Sequence, residues 1–374
     1  MARLVKRGNS WQYEISYRKE DGKFTKLRKS GFKTKSEAKA AAVDLEYEIS
    51  KGLSVEKKNM FLADYFEDWM VLYKKDSISP VTYKKYEDTL KSLQKLAPFL
   101  KLSEMDRDIY QKLLNKYAKN HAKETVIKFN NHVRACLKDS IDDGVINRDP
   151  TRKAVIKGNN PSKPKEDKYL DYTELKLLLK ETEKHLNPEF ASPYLVITAA
   201  KTGLRFSELL GLTWDDIDFD KRLVDVNKTW NYKIKEFGPT KNESSIRKVV
   251  LDDRTTDMLA ELKINQSEIF KKFDISNPDN LVFYNLKNGI VSNNAANKFL
   301  KKILNRLNID TNLTLHGLRH TYASVLLYKQ INILTVSKLL GHRDTTTTQE
   351  TYAHIVKELE DQDLEKISDI MKYL

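Results

Sequence analysis

The chain has 374 residues, enough for two or three domains that each bury a core, and its 40% hydrophobic and 32% charged composition has no apolar run of about eighteen residues to span a membrane. A single cysteine, Cys136, excludes an intrachain disulfide or a Cys-rich zinc site and fits a reducing cytoplasm. The formal charge of +13 is compatible with a polyanionic partner but does not by itself separate nucleic acid from mere solubility, and the polar stretch from Arg3 to Ser10 does not look like an export signal.

Trp11, Tyr13, Ile15 and Tyr17 alternate with polar residues, the period of a half-buried strand, and Asp21-Gly22 supplies a turn into a second strand from Phe24 to Lys29. Thr34 with Glu37 forms a capping box that opens a helix through Ala38, Ala41, Leu45 and Ile49, stopped by Gly52. Three short strands and a helix are expected. Between residues 1 and 35, eleven Lys or Arg stand against three Asp or Glu, an excess of eight positive charges. Arg3, Lys6, Arg7, Arg18, Lys26 and Arg28 are therefore candidate DNA contacts, with a sheet laid into a groove favoured over a merely solvated surface.

Residues from Phe61 to Asp149 read as helical. Leu62, Tyr65, Phe66, Trp69 and Leu72 make one stripe, and Tyr83, Tyr86, Leu90 and Leu93 the next, behind a Ser79-Pro80 cap. Ile109, Leu113, Leu114 and Tyr117 form a third stripe. Val126, Phe129, Val133, Leu137 and Ile141 form a fourth, closed by Gly144. The stripes are expected core; Lys84 and Lys85 lie off them, placed to grip a phosphate backbone or simply to face solvent. Lys157 to Lys168 has two prolines, four lysines and no apolar residue, the composition of an extended linker whose Lys163 and Lys165 are candidate DNA contacts.

A third region begins at Tyr169, with helices from about Tyr172 to Leu186 and Pro193 to Lys201, the latter ended by Gly203. Arg205 and Glu208 follow at helical spacing, which alone reads as an ordinary ion pair. Short strands are expected at Leu223 to Val226, around Trp230 and Tyr232, and from Ile246 to Leu251, leaving Lys241 on a hairpin loop between the last two. Two helical stripes follow, from Met258 to Phe270 and from Ala296 to Leu307. Then the stretch from Leu313 to His354 places four of the chain's seven histidines at the ends of apolar runs. His316, Arg319 and His320 open a helix, His342 follows a helix-ending Gly, and Tyr352 comes ten residues later. Arginine, imidazoles and a phenol together point to an anionic substrate and a tyrosine nucleophile.

T-G-L-R-F-S-E-L-L-G-L, a lysine hairpin, H-G-L-R-H-T-Y-A-S, L-L-G-H and T-Q-E-T-Y-A-H, in this order, resemble the catalytic domain of tyrosine recombinases, the phage-integrase family. The resemblance extends to the whole chain. It implies a multidomain, mainly α protein with small β parts: an arm-type DNA-binding domain over 1–55 with a three-stranded sheet plus helix, a helical core-binding domain over 60–155, a linker over 156–168, and a mixed α+β catalytic domain over 169–374 with a C-terminal exchange helix. That helix is also indicated by the spacing of Ile355, Leu359, Leu364, Ile367, Met371 and Leu374.

The resemblance implies Arg205, Lys241, His316, Arg319, His342 and the nucleophile Tyr352 as catalytic, with Lys235 and Lys248 as competitors of Lys241, and Glu208, His320 and His354 as supporting. The chemistry fits these residue types. Attack of a phenol on a phosphodiester builds negative charge on the non-bridging oxygens, which two arginines and imidazole N–H groups can meet without a metal or another cofactor. His316 is the expected proton acceptor and Lys241 the proton donor to the departing 5′ oxygen. A zinc site on His316 and His320 is disfavoured because Arg319 would stand inside it and the H-E-x-x-H pattern is missing. The implied activity is integration and excision of a mobile element through a covalent 3′-phosphotyrosine, independent of ATP. The implied partners are double-stranded DNA at core and arm-type sites and a homotetramer, with room for an excisionase and a host DNA-bending protein, in a bacterial cytoplasm at the nucleoid and not at a membrane. A type IB-like topoisomerase, or a non-catalytic DNA-binding protein of the same fold, is the alternative.

Overall fold

The computed structural model describes residues 2–18, 23–50, 55–160, 169–232, 234–353 and 355. They fall into two compact units, Met1–Ser162 and Lys163–Leu374. Among the described residues no helix is long and apolar enough to cross a membrane.

The first unit opens with an antiparallel sheet of β1 (Arg3–Arg7), β2 (Ser10–Arg18) and β3 (Phe24–Phe32) in that order. Strand alternation turns Tyr13 and Ile15 to one side, where they are buried with Ala42 of α1 (Lys35–Ser50). The capping box forms: Glu37 N–H donates to Thr34 Oγ1 at 3.1 Å, and the Glu37 carboxylate accepts from Thr34 N–H at 3.4 Å. Gly52, the expected stop, lies outside the described residues.

After a single turn, α2 (Val55–Lys58), come α3 (Leu62–Tyr73), α4 (Pro80–Leu96), α5 (Arg107–Ala118) and α6 (Lys123–Asp142). Phe66, Trp69, Leu93, Tyr110, Phe129 and Leu137 fill the shared core. Buried polar ends find partners there: Trp69 Nε1 donates to Asp139 at 2.7 Å and the Tyr110 hydroxyl to Asn130 Oδ1 at 2.8 Å. Ser79 caps α4 ahead of Pro80, and Gly144, at φ +68°, turns the chain after α6. One expected core position is corrected. Leu72 is 74% exposed, while Met70 is buried; Val71 and Tyr73 beside it are exposed too, so the last turn of α3 runs past the helices that bury Leu62, Phe66 and Trp69.

The first residues of the expected linker pack onto this bundle. Asn159 N–H donates to Ala118 O at 3.2 Å, and Gly158 sits so close to the start of α6 that a Cβ would lie 2.2 Å from Lys123 N. Residues 161–168, including Lys163 and Lys165, lie outside the described residues.

In the second unit α7 (Tyr172–Glu183) leads to α8 (Ser192–Thr202), buried along nearly its whole length. Then come α9 (Phe206–Leu210), β4 (Ile217–Asp218), β5 (Leu223–Val226), β6 (Thr229–Asn231), β7 (Glu236–Gly238), β8 (Arg247–Val250) and α10 (Asp253–Lys272). A small hairpin of β9 (Tyr284–Asn285) and β10 (Gly289–Ile290) precedes α11 (Asn293–Arg306), α12 (Leu315–Tyr328), α13 (Ile333–Leu340) and α14 (Thr345–Thr351). α8 packs against α7, α10, α11 and α12 and so forms the axis of the unit.

The strand pairing differs from the expectation. β6 pairs with the unforeseen β7, Trp230 opposite Phe237 with ring centroids 4.8 Å apart, while β8 joins β5 in the sheet β4-β5-β8. Buried Val224 and Val226 of β5 share the inward side with Val249 of β8, which decides the partner. Lys241 accordingly lies on the run from β7 to β8 and not at a hairpin tip; the tip of β6–β7 carries Lys235, at φ +55°.

Candidate active site

The site forms where the C-terminal end of α13 meets the turn after α8. Gly341 ends α13 in the left-handed conformation at φ +63°, with its N–H bonded to Lys338 O at 2.9 Å and that of His342 to Ser337 O at 3.1 Å. This turn leaves the last carbonyls free, and three successive ones each receive a different arginine. Leu339 O accepts from Arg247 Nε at 2.5 Å, Leu340 O from Arg319 Nη2, and Gly341 O from Arg205 Nη2 at 3.0 Å. Arg319 also donates to Gly203 O at 2.8 Å. Gly203 must be glycine twice over: φ is +64°, and a Cβ would lie 2.5 Å from the Tyr322 ring.

Arg205 is held from its own helix as well. Its backbone N–H donates to Glu208 Oε2 at 2.9 Å and its Nη1 to Glu208 Oε1 at 2.6 Å. Burial raises the Glu208 carboxyl, but the hydrogen bond and charge of Arg247, with the backbone N–H and charge of Arg205, overcome this and hold it below the usual carboxylate range. Burial, then the charge of Arg205, lowers Arg319 to about 9, still charged at neutral pH.

The imidazoles lie around these guanidiniums. Burial and then Arg319, Arg205 and Lys241 lower His316; burial, Arg319 and Arg205 lower His342 to about 4. Both are neutral at pH 7, able to donate one N–H each. His342 Nδ1 lies 2.7 Å from Thr348 Oγ1, which fixes its ring. Tyr352, at the end of α14, is buried with Ala323, Leu327, Val336, Leu340 and Ile355. Burial raises its hydroxyl well above the ordinary phenol value, an effect the Arg319 charge partly offsets.

The Tyr352 hydroxyl lies 2.9 Å from His320 Nδ1. His316, the expected proton acceptor, is one helical turn away, its ring edge-on to His320 at 5.0 Å. The four-residue spacing puts both imidazoles on one side of α12; His320 is the one level with α14, while the charges of Arg319, Arg205 and Lys241 bear on His316. His354 lies outside the described residues. Among the described residues no three metal-ligating side chains converge.

Two residues of the cluster were not foreseen, Arg247 and Ser245. Ser245 is buried and its hydroxyl accepts from Arg205 Nη1 at 3.2 Å. A signal for Arg247 existed: it shares strand parity with buried Val249, and a charged residue on the inward side of a strand needs a partner.

The register separates the expected DNA contacts of the sheet. Arg3, Arg7, Arg18, Lys26 and Arg28 share the face turned away from Tyr13 and Ile15, whereas Lys6 falls on the face of those two residues because it pairs with Trp11. Glu14 lies amid the open face, paired with Lys26 at 3.1 Å and Arg28 at 2.6 Å. On α4, Lys84 is paired with Glu87 at 2.7 Å and Lys85 is exposed.

Family models match along nearly the whole chain: the arm DNA-binding domain at 3–49, the phage integrase SAM-like domain at 61–156 and the phage integrase family at 168–358, the last covering just over half the chain. A tyrosine recombinase XerC-like protein of Caldanaerobacter subterraneus subsp. tengcongensis is 29% identical, over 98% of each chain. The fold is similar to that of the Tn1549 transposon integrase in complex with transposon right end DNA, with a TM-score of 0.67 and 17% identity over 83% of this chain and 100% of that one. It is also similar to the lambda integrase tetramer bound to a Holliday junction, with a TM-score of 0.56 and 16% identity over 93% and 94%.

Proposed function

Since the chain belongs to the phage integrase family of site-specific tyrosine recombinases, we propose that it integrates and excises a mobile element by cleaving and rejoining DNA through a 3′-phosphotyrosine on Tyr352. The observation that carries this is the Tyr352 hydroxyl, 2.9 Å from an imidazole nitrogen of α12, the helix that also supplies Arg319 to the arginine cluster. The phenol oxygen forms the bond to phosphorus as the bond to the 5′ oxygen breaks. His320 takes the phenol proton and Lys241 protonates the departing oxygen. Arg205 and Arg319 meet the charge on the non-bridging oxygens, with N–H donors from neutral His316 and His342. Glu208 orients Arg205. The phosphotyrosine conserves the bond energy, so rejoining needs no ATP.

Residues 169–374 form the catalytic domain in this reading, 60–155 with Lys84 and Lys85 hold the core site, and the open sheet face of 1–55 holds arm sites. The linker's Lys163 and Lys165 track the backbone between them. The neighbouring structures, one of a DNA complex and one of a tetramer on a junction, support a DNA-bound tetramer for this chain. Exchange of the segment after Ile355 between subunits, an excisionase, a host bending protein and action at the bacterial nucleoid complete the proposal. The test is incubation with EDTA on a nicked duplex carrying the attachment site, followed by a denaturing gel. The native chain forms a covalent adduct and Tyr352→Phe forms none while still binding DNA. If DNA is bound on a verified site and the native chain forms no adduct, the catalytic reading falls.

A further inference from the structure

Arg247 stands in the middle of the cluster with no part in the chemistry above. Each of its three nitrogens is taken by the protein: Nε by Leu339 O at 2.5 Å, Nη1 by Ser245 O at 2.8 Å and Nη2 by Glu208 Oε2 at 2.9 Å. Its side chain is 7% exposed, against 21% for Arg205. A guanidinium so engaged is not a phosphate ligand. It ties three pieces together: β8, which follows the Lys241 segment; α9, which carries Glu208; and the end of α13, which precedes His342. Gly341 permits the approach, since a Cβ there would lie 3.0 Å from Arg247 Nη1 and 3.0 Å from Ser245 Cα.

Charge counting gives Arg247 a second task. Glu208 is 1% exposed, and each of its oxygens faces a different guanidinium, Oε1 Arg205 and Oε2 Arg247. With Arg205 alone, the buried carboxylate would cancel the charge that is to meet the phosphate. With Arg247 the three side chains sum to one net positive charge, and Arg205, the more exposed cation, presents it.

We infer that Arg247 is a positioning residue for strand cleavage, which locks Glu208 against Arg205 and neutralises it so that the Arg205 charge stays available to the scissile phosphate. The inference rests on the strand-transfer reading. Its test is single-turnover cleavage of the nicked duplex by the full chain, with DNA affinity and thermal stability measured on the same samples. Arg247→Met is expected to slow adduct formation about 100-fold, with DNA affinity changed only a few-fold. Adding Glu208→Gln, which removes the uncompensated negative charge, is expected to recover at least about tenfold of that loss. Arg247→Lys keeps the charge but not the three-way fork and should fall between the native chain and Arg247→Met.

Native-like cleavage by Arg247→Met overturns the inference. So does a loss that follows thermal stability across the two Arg247 variants and is not recovered in the double variant, since packing alone predicts that result. If Arg247→Met does not fold, the order of Arg247→Lys and Arg247→Lys with Glu208→Gln decides: the double variant faster than Arg247→Lys would overturn the inference, because the charge is already balanced by lysine. A native chain that forms no adduct removes the strand-transfer reading itself, which is a different outcome from an active native chain beside an active Arg247→Met.

Discussion

Arg319 and Arg247 in the second unit and Arg3 and Arg28 on the N-terminal sheet carry the same charge in different surroundings. Arg319 is 3% exposed, and its guanidinium ends on backbone carbonyls of Gly203 and Leu340. Arg28 has an exposed side chain paired with Glu14, another side chain on the same open face. In the proposed reaction a buried guanidinium on two backbone carbonyls, that of Arg319, holds one geometry and suits a single phosphate, whereas Arg247, with all three nitrogens engaged, serves the cluster itself. Exposed guanidiniums adjust, are screened by salt and suit many phosphates along a groove. Under the proposed function the same residue type serves two tasks, separated by what holds it.

The sharpest way to break this contrast is Arg319→Lys. A lysine keeps the positive charge but cannot reach both carbonyls and present a planar fork, so cleavage should drop about 100- to 1,000-fold in a single-turnover assay. Cleavage within a few-fold of native would mean that charge alone suffices in the cleft, as on the sheet.

A smaller effect follows from His342. Its folded value of about 4 lies below the ordinary 6.5, so as pH falls the unfolded chain takes the proton first. The stability tied to a neutral His342 is complete above pH 6.5 and is lost as pH falls towards 4. Denaturant midpoints of His342→Gln should therefore decline less over this window than those of the native chain; parallel curves would show that burial of this imidazole is not linked to folding.

The smallest change is expected on the sheet. Arg28→Ala should lower affinity for arm-type DNA uniformly across sequences and reduce the salt slope by about one unit, leaving cleavage of a core-site duplex unchanged. A loss confined to particular bases would make Arg28 a base reader and not a backbone contact.

What the chain states openly is local. The capping box of Thr34 and Glu37, the Ser79-Pro80 start of α4 and the glycine ends of α8 and α13 rest on bonds three to five residues apart, and all stand where the spacing puts them. The core stripes were legible for the same reason, apart from Leu72, where the pattern runs past the bundle that buries it. β7 was not legible: three residues around one Phe carry too little periodicity to declare a strand until Trp230 lies opposite. In the site, Arg319 and Tyr352 stand out as chemistry within their stretch and Arg205 is marked only by the family resemblance, whereas Arg247 stands in a stretch read only as strand.

By itself the sequence determined the helices, their ends, the basic sheet and the boxes that hold Arg205, His316, Arg319, His342 and Tyr352, because those signals act within a few residues. Tertiary structure alone decided that Gly341 O would meet Arg205 across 136 positions, that Leu339 O would meet Arg247 across 92, and that His320 rather than His316 would face Tyr352. Carbonyl acceptors carry no residue identity, so nothing in the one-dimensional pattern marks which three of them a folded chain will turn towards its arginines.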